Sequence, residues 1–146
     1  EAIRYLKEAI KIEAYNERAN WNLASCLMGQ DADNPEALQQ AVKHCLRALE
    51  LAPEDPNAKK VLATACRQQA MDAVKQGRSH EAQGLLERAV AVNPDFAEAH
   101  YDLAALLNEG GDKKGARRHL REVLRIEPND QNTRGILVRL QGEGIE

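Results

Sequence analysis

Aromatic side chains make up only 3% of this sequence: one tryptophan, three tyrosines and one phenylalanine. Rings interleaved with basic residues, the usual platform for stacking nucleic-acid bases, are therefore missing. Runs of β-branched residues are absent as well, so little in the chain favours strands. No apolar run approaches eighteen residues, which leaves no candidate for a membrane-spanning helix. The net charge is only −3, so no global field draws in nucleic acid or an anionic membrane. There are three cysteines, Cys26, Cys45 and Cys66. Their number is odd, and their spacing matches neither CxxC nor a zinc site. A reducing compartment is the simpler reading, and a cytoplasmic location is expected.

Catalytic patterns are also lacking. Gly110-Gly111 is followed by Asp112, and no GKS or GKT follows any glycine pair, so no phosphate-cradling loop is present. The four histidines, His44, His80, His100 and His119, show no mutual metal-ligand spacing. His44 precedes Cys45, but adjacent helical residues do not face each other, and no histidine stands three or four residues from a cysteine to activate it. No enzyme activity, cofactor or metal is expected of this chain.

What is present is alanine, with 23 copies, and leucine, with 17. Apolar residues at 43% and charged residues at 29% exclude disorder. Strong helix formers fill the sequence, and the five prolines and most of the nine glycines fall at regular breaks. The fold class expected is all-α. The chain opens at Glu1-Ala2-Ile3, which reads as the inside of a helix, so a longer parent protein is expected.

Four segments end alike, in an apolar helix closed by a proline and polar residues. They run from Ala2 to Ala14, Ala41 to Pro53, Ala82 to Pro94 and Ala116 to Pro128, the first with alanine for proline. Pro94 and Pro128 are 34 residues apart, whereas Pro53 and Pro94 are 41 apart. A unit of this size signals a solenoid.

Residues 97–130 supply His100, Leu103-Ala104, Leu107, Gly111, Ala116, Leu120, Val123 and Pro128. Residues 56–96 supply Lys59, Leu62-Ala63, Cys66, Gly77, Ala82, Leu86, Ala89 and Pro94. Residues 17–55 supply Asn20, Leu23-Ala24, Leu27, Ala41, Cys45, Ala48 and Pro53. This alternation of large and small residues resembles the tetratricopeptide repeat. Residues 1–16 carry only a second helix, with Ala2, Leu6 and Ala9, and residues 131–146 read as a capping helix and tail. The resemblance spans nearly the whole chain. It implies a right-handed superhelical solenoid of antiparallel helix pairs.

The local signals stand on their own physics. Leu103 and Leu107 are four apart and share one helical face. Ala104, Ala116 and Val123 are small where two helices must approach closely. Asn34-Pro35 and Asp55-Pro56 place a capping side chain before proline at the first helical position. Asp95 with Glu98 reads as a capping box, and Ser79 and Asp112 as caps after Gly77 and Gly111. Residues 17–55 carry five extra residues, expected as a polar loop over Gly29–Asn34. Residues 56–96 carry seven extra, with no turn signal before Gly77. Seven residues fall ~20° short of two turns, so one helix from about Asn57 to Gln76, ~30 Å long, is expected to project beyond its neighbours.

Function is expected in the groove that the resemblance implies, lined by the first helix of each pair. Residues pointing away from the leucine seam are Arg18, Trp21, Asn22 and Ser25, then Asn57, Lys60, Val61, Thr64 and Arg67. Glu98, Tyr101, Asp102 and Asn108 follow, with Asn132 and Ile136 extending the lining. Trp21 and Tyr101 are the large anchors, because such residues dominate binding energies at interfaces. If the register of the first unit slips by one, Trp21 packs inward instead; Leu23-Ala24 and Leu27 favour the groove register.

The family's carboxylate clamp for acidic chaperone tails does not carry over. Its cationic and amide positions fall at Trp21, Ser25, Val61, Glu98 and Asp102, and two acids would repel a carboxylate. The partner expected is an apolar or basic segment of another protein, with Lys60 and Arg67 set against Glu98 and Asp102. A second reading is self-assembly into a homo-oligomer, and a third is an accessory segment of a multidomain enzyme. Lys113, Lys114, Arg117, Arg118, Arg121 and Arg125 form a basic cluster on the outer side, expected as a solvated face rather than a nucleic-acid site.

Overall fold

A computed structural model describes residues 1–12, 16–30 and 34–142, excluding the side chains of Ile12, Glu17 and Gln30. Every regular element among them is an α-helix. These are α1 (Ala2–Ile12), α2 (Glu17–Gln30), α3 (Pro35–Leu51), α4 (Pro56–Lys75), α5 (Ser79–Val92), α6 (Ala97–Glu109), α7 (Lys113–Ile126) and α8 (Gln131–Gly142). Each helix packs on its sequence neighbours, most extensively within α2–α3, α4–α5 and α6–α7. This is an all-helical solenoid of antiparallel helix pairs.

The pattern residues form the core. Leu23, Ala24, Leu62, Ala63, Leu103 and Ala104 on the first helices are all buried. Ala41, Cys45, Ala48, Ala82, Leu86, Ala89, Ala116, Leu120 and Val123 answer them from the second helices. The alanines let two backbones close together while the leucines fill the space between. Tight turns follow α4 and α6, where Gly77 and Gly111 adopt φ of 71° and 88°, a region that suits a residue without Cβ.

Caps follow the sequence in part. Asn34 Oδ1 accepts from the amides of Glu36 and Ala37, and Asp55 Oδ1 from those of Asn57 and Ala58, each ahead of proline at the helix start. Asp112 caps α7 through the Gly115 amide. Two expectations fail. Ser79 is the first residue of α5 rather than its cap, and the cap position, Arg78, makes no side-chain cap bond. Asp95 forms no capping box either: Phe96 holds the cap position of α6, and Asp95 instead accepts from Arg125 Nη2 at 2.8 Å.

The two insertions are absorbed differently. Gly29 and Gln30 complete α2, and α3 begins at Pro35 with 17 residues against 14 in α5 and in α7. Of the expected loop over Gly29–Asn34, Gly29 and Gln30 are instead helical and Asn34 is the cap of α3, while Asp31, Ala32 and Asp33 lie outside the described residues. The seven extra residues of the next unit all enter α4, which has 20 residues against 13 in α6. Ala63 and Ala70, and likewise Cys66 and Ala73, stand seven apart and are all fully buried. The apolar face has not rotated. It has been extended by about 10 Å at 1.5 Å per residue.

Candidate partner-binding surface

That extension steps the face made by the first helices. Contacts link α2 with α4, and the Lys60–Thr64 stretch of α4 faces Ser25 and Met28 across a depression of about 220 Å³. The next neighbour, α6, meets α4 further along. There Arg67 Nε donates to Asp102 Oδ2 at 2.5 Å, with side-chain exposures of 33% and 19%. One long helix thus serves two neighbours in succession, each against a different half.

The register of α2 is set by Asn20, Leu23 and Ala24, which are buried on its inner side. Arg18 and Ser25 are exposed, and Trp21 and Asn22 half-buried. Among the described residues the buried Trp21 ring N–H has no acceptor. Packing therefore holds this ring more firmly than expected of a freely presented anchor. On α4, Asn57, Lys60 and Thr64 are exposed, with Val61 and Arg67 half-buried. On α6, Glu98 and Asn108 are exposed, with Tyr101 and Asp102 half-buried. On α8, Asn132 is exposed and Ile136 half-buried.

Two further depressions continue the strip. One of about 390 Å³ gathers Arg67, Glu98, Tyr101 and Asp102 with Glu127 and Asp130. The other, about 320 Å³, runs between α6 and α8 past Tyr101, Ala104, Asn108, Leu120, Ile136 and Arg139. Tyr101 forms the divide between them, its hydroxyl accepting from Asn132 Nδ2 at 3.3 Å. Of the expected lining, Ser25, Lys60, Val61, Thr64, Arg67, Glu98, Tyr101, Asp102, Asn108 and Ile136 are brought to these depressions. Arg18, Trp21, Asn22, Asn57 and Asn132 line none of the three.

The electrostatics follow from these neighbours. Arg67 neutralises Asp102, as the opposed charges in the sequence suggested. Asp130 is held below the usual carboxylate range by hydrogen bonds from the Thr133 hydroxyl and from the Thr133 and Asn132 amides. The middle depression therefore presents four carboxylates against one guanidinium. Its field suits a cation, and repels an anion.

Sequence reasoning missed several contributors. Met28 lies three residues after Ser25 on α2, so helical spacing pointed to it. Glu127 and Asp130 come from the turn after α7, where no period applies. In the basic cluster Lys113, Lys114, Arg118, Arg121 and Arg125 are exposed and Arg117 is half-buried. Arg117 Nη1 donates to the Leu140 carbonyl at 3.0 Å, and Arg125 reaches both Asp95 and Glu122. His100 and His119, unrelated by spacing, meet inside the α6–α7 hairpin. Burial, reinforced by Cys66, pushes the Cys45 thiol up to about 12, and burial also raises Cys66. Neither thiol is poised as a nucleophile.

Residues 67–131 match the family model of the tetratricopeptide repeat. No curated protein is significantly similar to this chain. Several solved structures share its fold. MamA superposes with a TM-score of 0.63 at 20% identity, covering 98% of this chain and 77% of that one. The first TPR of Spaghetti (RPAP3), bound to the HSP90 peptide SRMEEVD, gives 0.52 at 16% identity over 87% of this chain and 91% of that one. Cut9, from the APC/C hetero-tetramer Cut9–Hcn1, gives 0.53 at 20% identity, covering 94% of this chain and 25% of its own.

Proposed function

We propose that this chain of tetratricopeptide repeats is a scaffold for protein partners, holding an extended segment along the face of α2, α4, α6 and α8. The observation that carries this reading is the run of three depressions along this face, two of them divided by Tyr101 and the third lined on α4 by Lys60, Val61 and Thr64, just before Arg67. Half-buried Tyr101 gives a rigid apolar contact with a polar tip, and Val61 and Ile136 add apolar surface on either side. Between them the carboxylates of Glu98 and Glu127 favour a lysine or arginine of the partner. The segment bound is thus apolar with basic positions. The RPAP3 repeat holds a peptide of the opposite charge. Here the clamp positions are Trp21, Ser25, Val61, Glu98 and Asp102, which argues against an acidic tail.

Selection from a random peptide library tests this. Native protein should enrich sequences combining lysine or arginine with large apolar residues. Tyr101→Ala and Glu98→Lys should lose that enrichment, and Arg121→Glu on the outer face should keep it. Enrichment of acidic peptides, or binding insensitive to both groove substitutions, would defeat the proposal.

A further inference from the structure

Two imidazoles lie against each other inside the α6–α7 hairpin, behind the partner-binding face. His100 is 6% exposed and His119 9%. Their ring centroids are 5.2 Å apart, and their Nδ1 atoms face each other at 3.0 Å. The proton positions follow from the outer partners. The Pro94 carbonyl, 2.9 Å from His100 Nε2, can only accept, so that nitrogen carries a proton. Neutral His100 then offers Nδ1 as an acceptor, and His119 Nδ1–H donates to it. His119 Nε2 keeps its lone pair, toward which Arg118 Nη2 points at 3.4 Å. One directed chain, from Arg118 through both rings to Pro94, uses each imidazole in its neutral form.

An added proton has no good place in this chain. On His100 Nδ1 it would set two N–H groups head-on at the 3.0 Å separation. On His119 Nε2 it would face the Arg118 guanidinium. Burial opposes the charge most, then His100 and Arg118, while Glu122 on α7 and Glu87 on α5 favour it. The balance holds His119 below the ordinary imidazole range. Glu122 is itself engaged by Arg125, which also reaches Asp95 and, at 3.4 Å, the Pro94 carbonyl.

We propose that the His100–His119 contact is a proton-sensitive latch, closing the α6–α7 hairpin while both rings are neutral and loosening it on acidification. The folded hairpin takes up fewer protons than the unfolded chain. Its stability is therefore complete above the unfolded imidazole value of about 6.5 and is lost as pH falls below it. Because α6 carries Glu98, Tyr101 and Asp102, partner binding would weaken with it; only that consequence rests on the function proposed above.

Amide hydrogen exchange at pH 7.5 and pH 5.5, normalised to intrinsic rates, reads the latch without any ligand. Protection in α6–α7 should fall about tenfold more than in α4–α5, a hairpin without a buried histidine. In His119→Gln the difference should vanish, because an amide can offer His100 either a donor or an acceptor. Equal losses in both hairpins, or an unchanged difference in the variant, would overturn the proposal. Should the variant not fold, titration of the native ring protons by NMR decides. The latch requires one ring to stay neutral below its ordinary range while the hairpin remains folded. Both rings charging near 6.5 with full protection would refute it.

Discussion

Deleting Gln68–Val74 should leave a folded solenoid, whereas deleting five residues from the same stretch should not. A helix advances 100° per residue, so removing seven turns the remainder by only about 20°. Leu62, Ala63 and Cys66 keep their buried positions, and Arg67 joins Lys75-Gln76-Gly77. The shortened helix has 13 residues, the length of α6, with Gly77 placed as Gly111 is. The loss is the burial of Ala70, Ala73 and part of Met71. At ~0.8 kcal/mol per buried methyl group this comes to about 2–3 kcal/mol, or roughly 5–10 °C in Tm for a domain of this size. Removing five residues instead rotates the rest of the helix by about 140°, swinging polar side chains into the α4–α5 seam. Each polar group buried without a partner costs on the order of 1–3 kcal/mol, enough together to abolish cooperative melting. Circular dichroism melts of the two deletions decide the matter. Equal Tm values, or an unfolded seven-residue deletion, would refute the argument from helical phase.

Other outcomes rest on the same packing. At pH 8 a thiol reagent should modify half-buried Cys26 first and spare Cys45 and Cys66 until unfolding; with Cys45 near 12, only about one in ten thousand of its side chains is thiolate there. Prompt labelling of all three would contradict the burial. Asp55→Ala should cost about 1 kcal/mol in denaturant melts, because two amides of α4 lose their acceptor. Asp95→Ala, by contrast, should leave stability unchanged, since its partner Arg125 is an exposed side chain and no helix cap is removed.

Much of the fold was legible because the repeat imposes two strong periods at once, the helical period within each element and the unit length between them. Gly77 and Gly111 marked turns that need positive φ, and Pro35 and Pro56 marked helix starts. The insertion in α4 could be assigned because seven residues preserve helical phase and no turn residue interrupted them. The insertion before α3 was misread at its start, since glycine resembles a loop there, yet Gly29 sits in the last turn of α2. Asp95 had the spacing of a cap, but the competing guanidinium of Arg125 is 30 residues away and leaves no local trace. The same holds for the candidate site. Its helical residues could be placed on one face by period and Arg67 set against Asp102 by charge, while the His100–His119 contact depends on how helices stack. Trp21 was assigned by type and register, and its buried ring N–H shows that a tryptophan's size also draws it into packing.

The central claim is that a partner segment lies along α2, α4, α6 and α8. A photo-crosslinking residue placed at Thr64, exposed on α4, tests it most directly when paired with one at Glu87, exposed on α5. With a peptide enriched in the library selection, crosslinking at Thr64 and not at Glu87 is the result expected. Crosslinking at Glu87 with none at Thr64 would place binding on the outer helices and contradict the account.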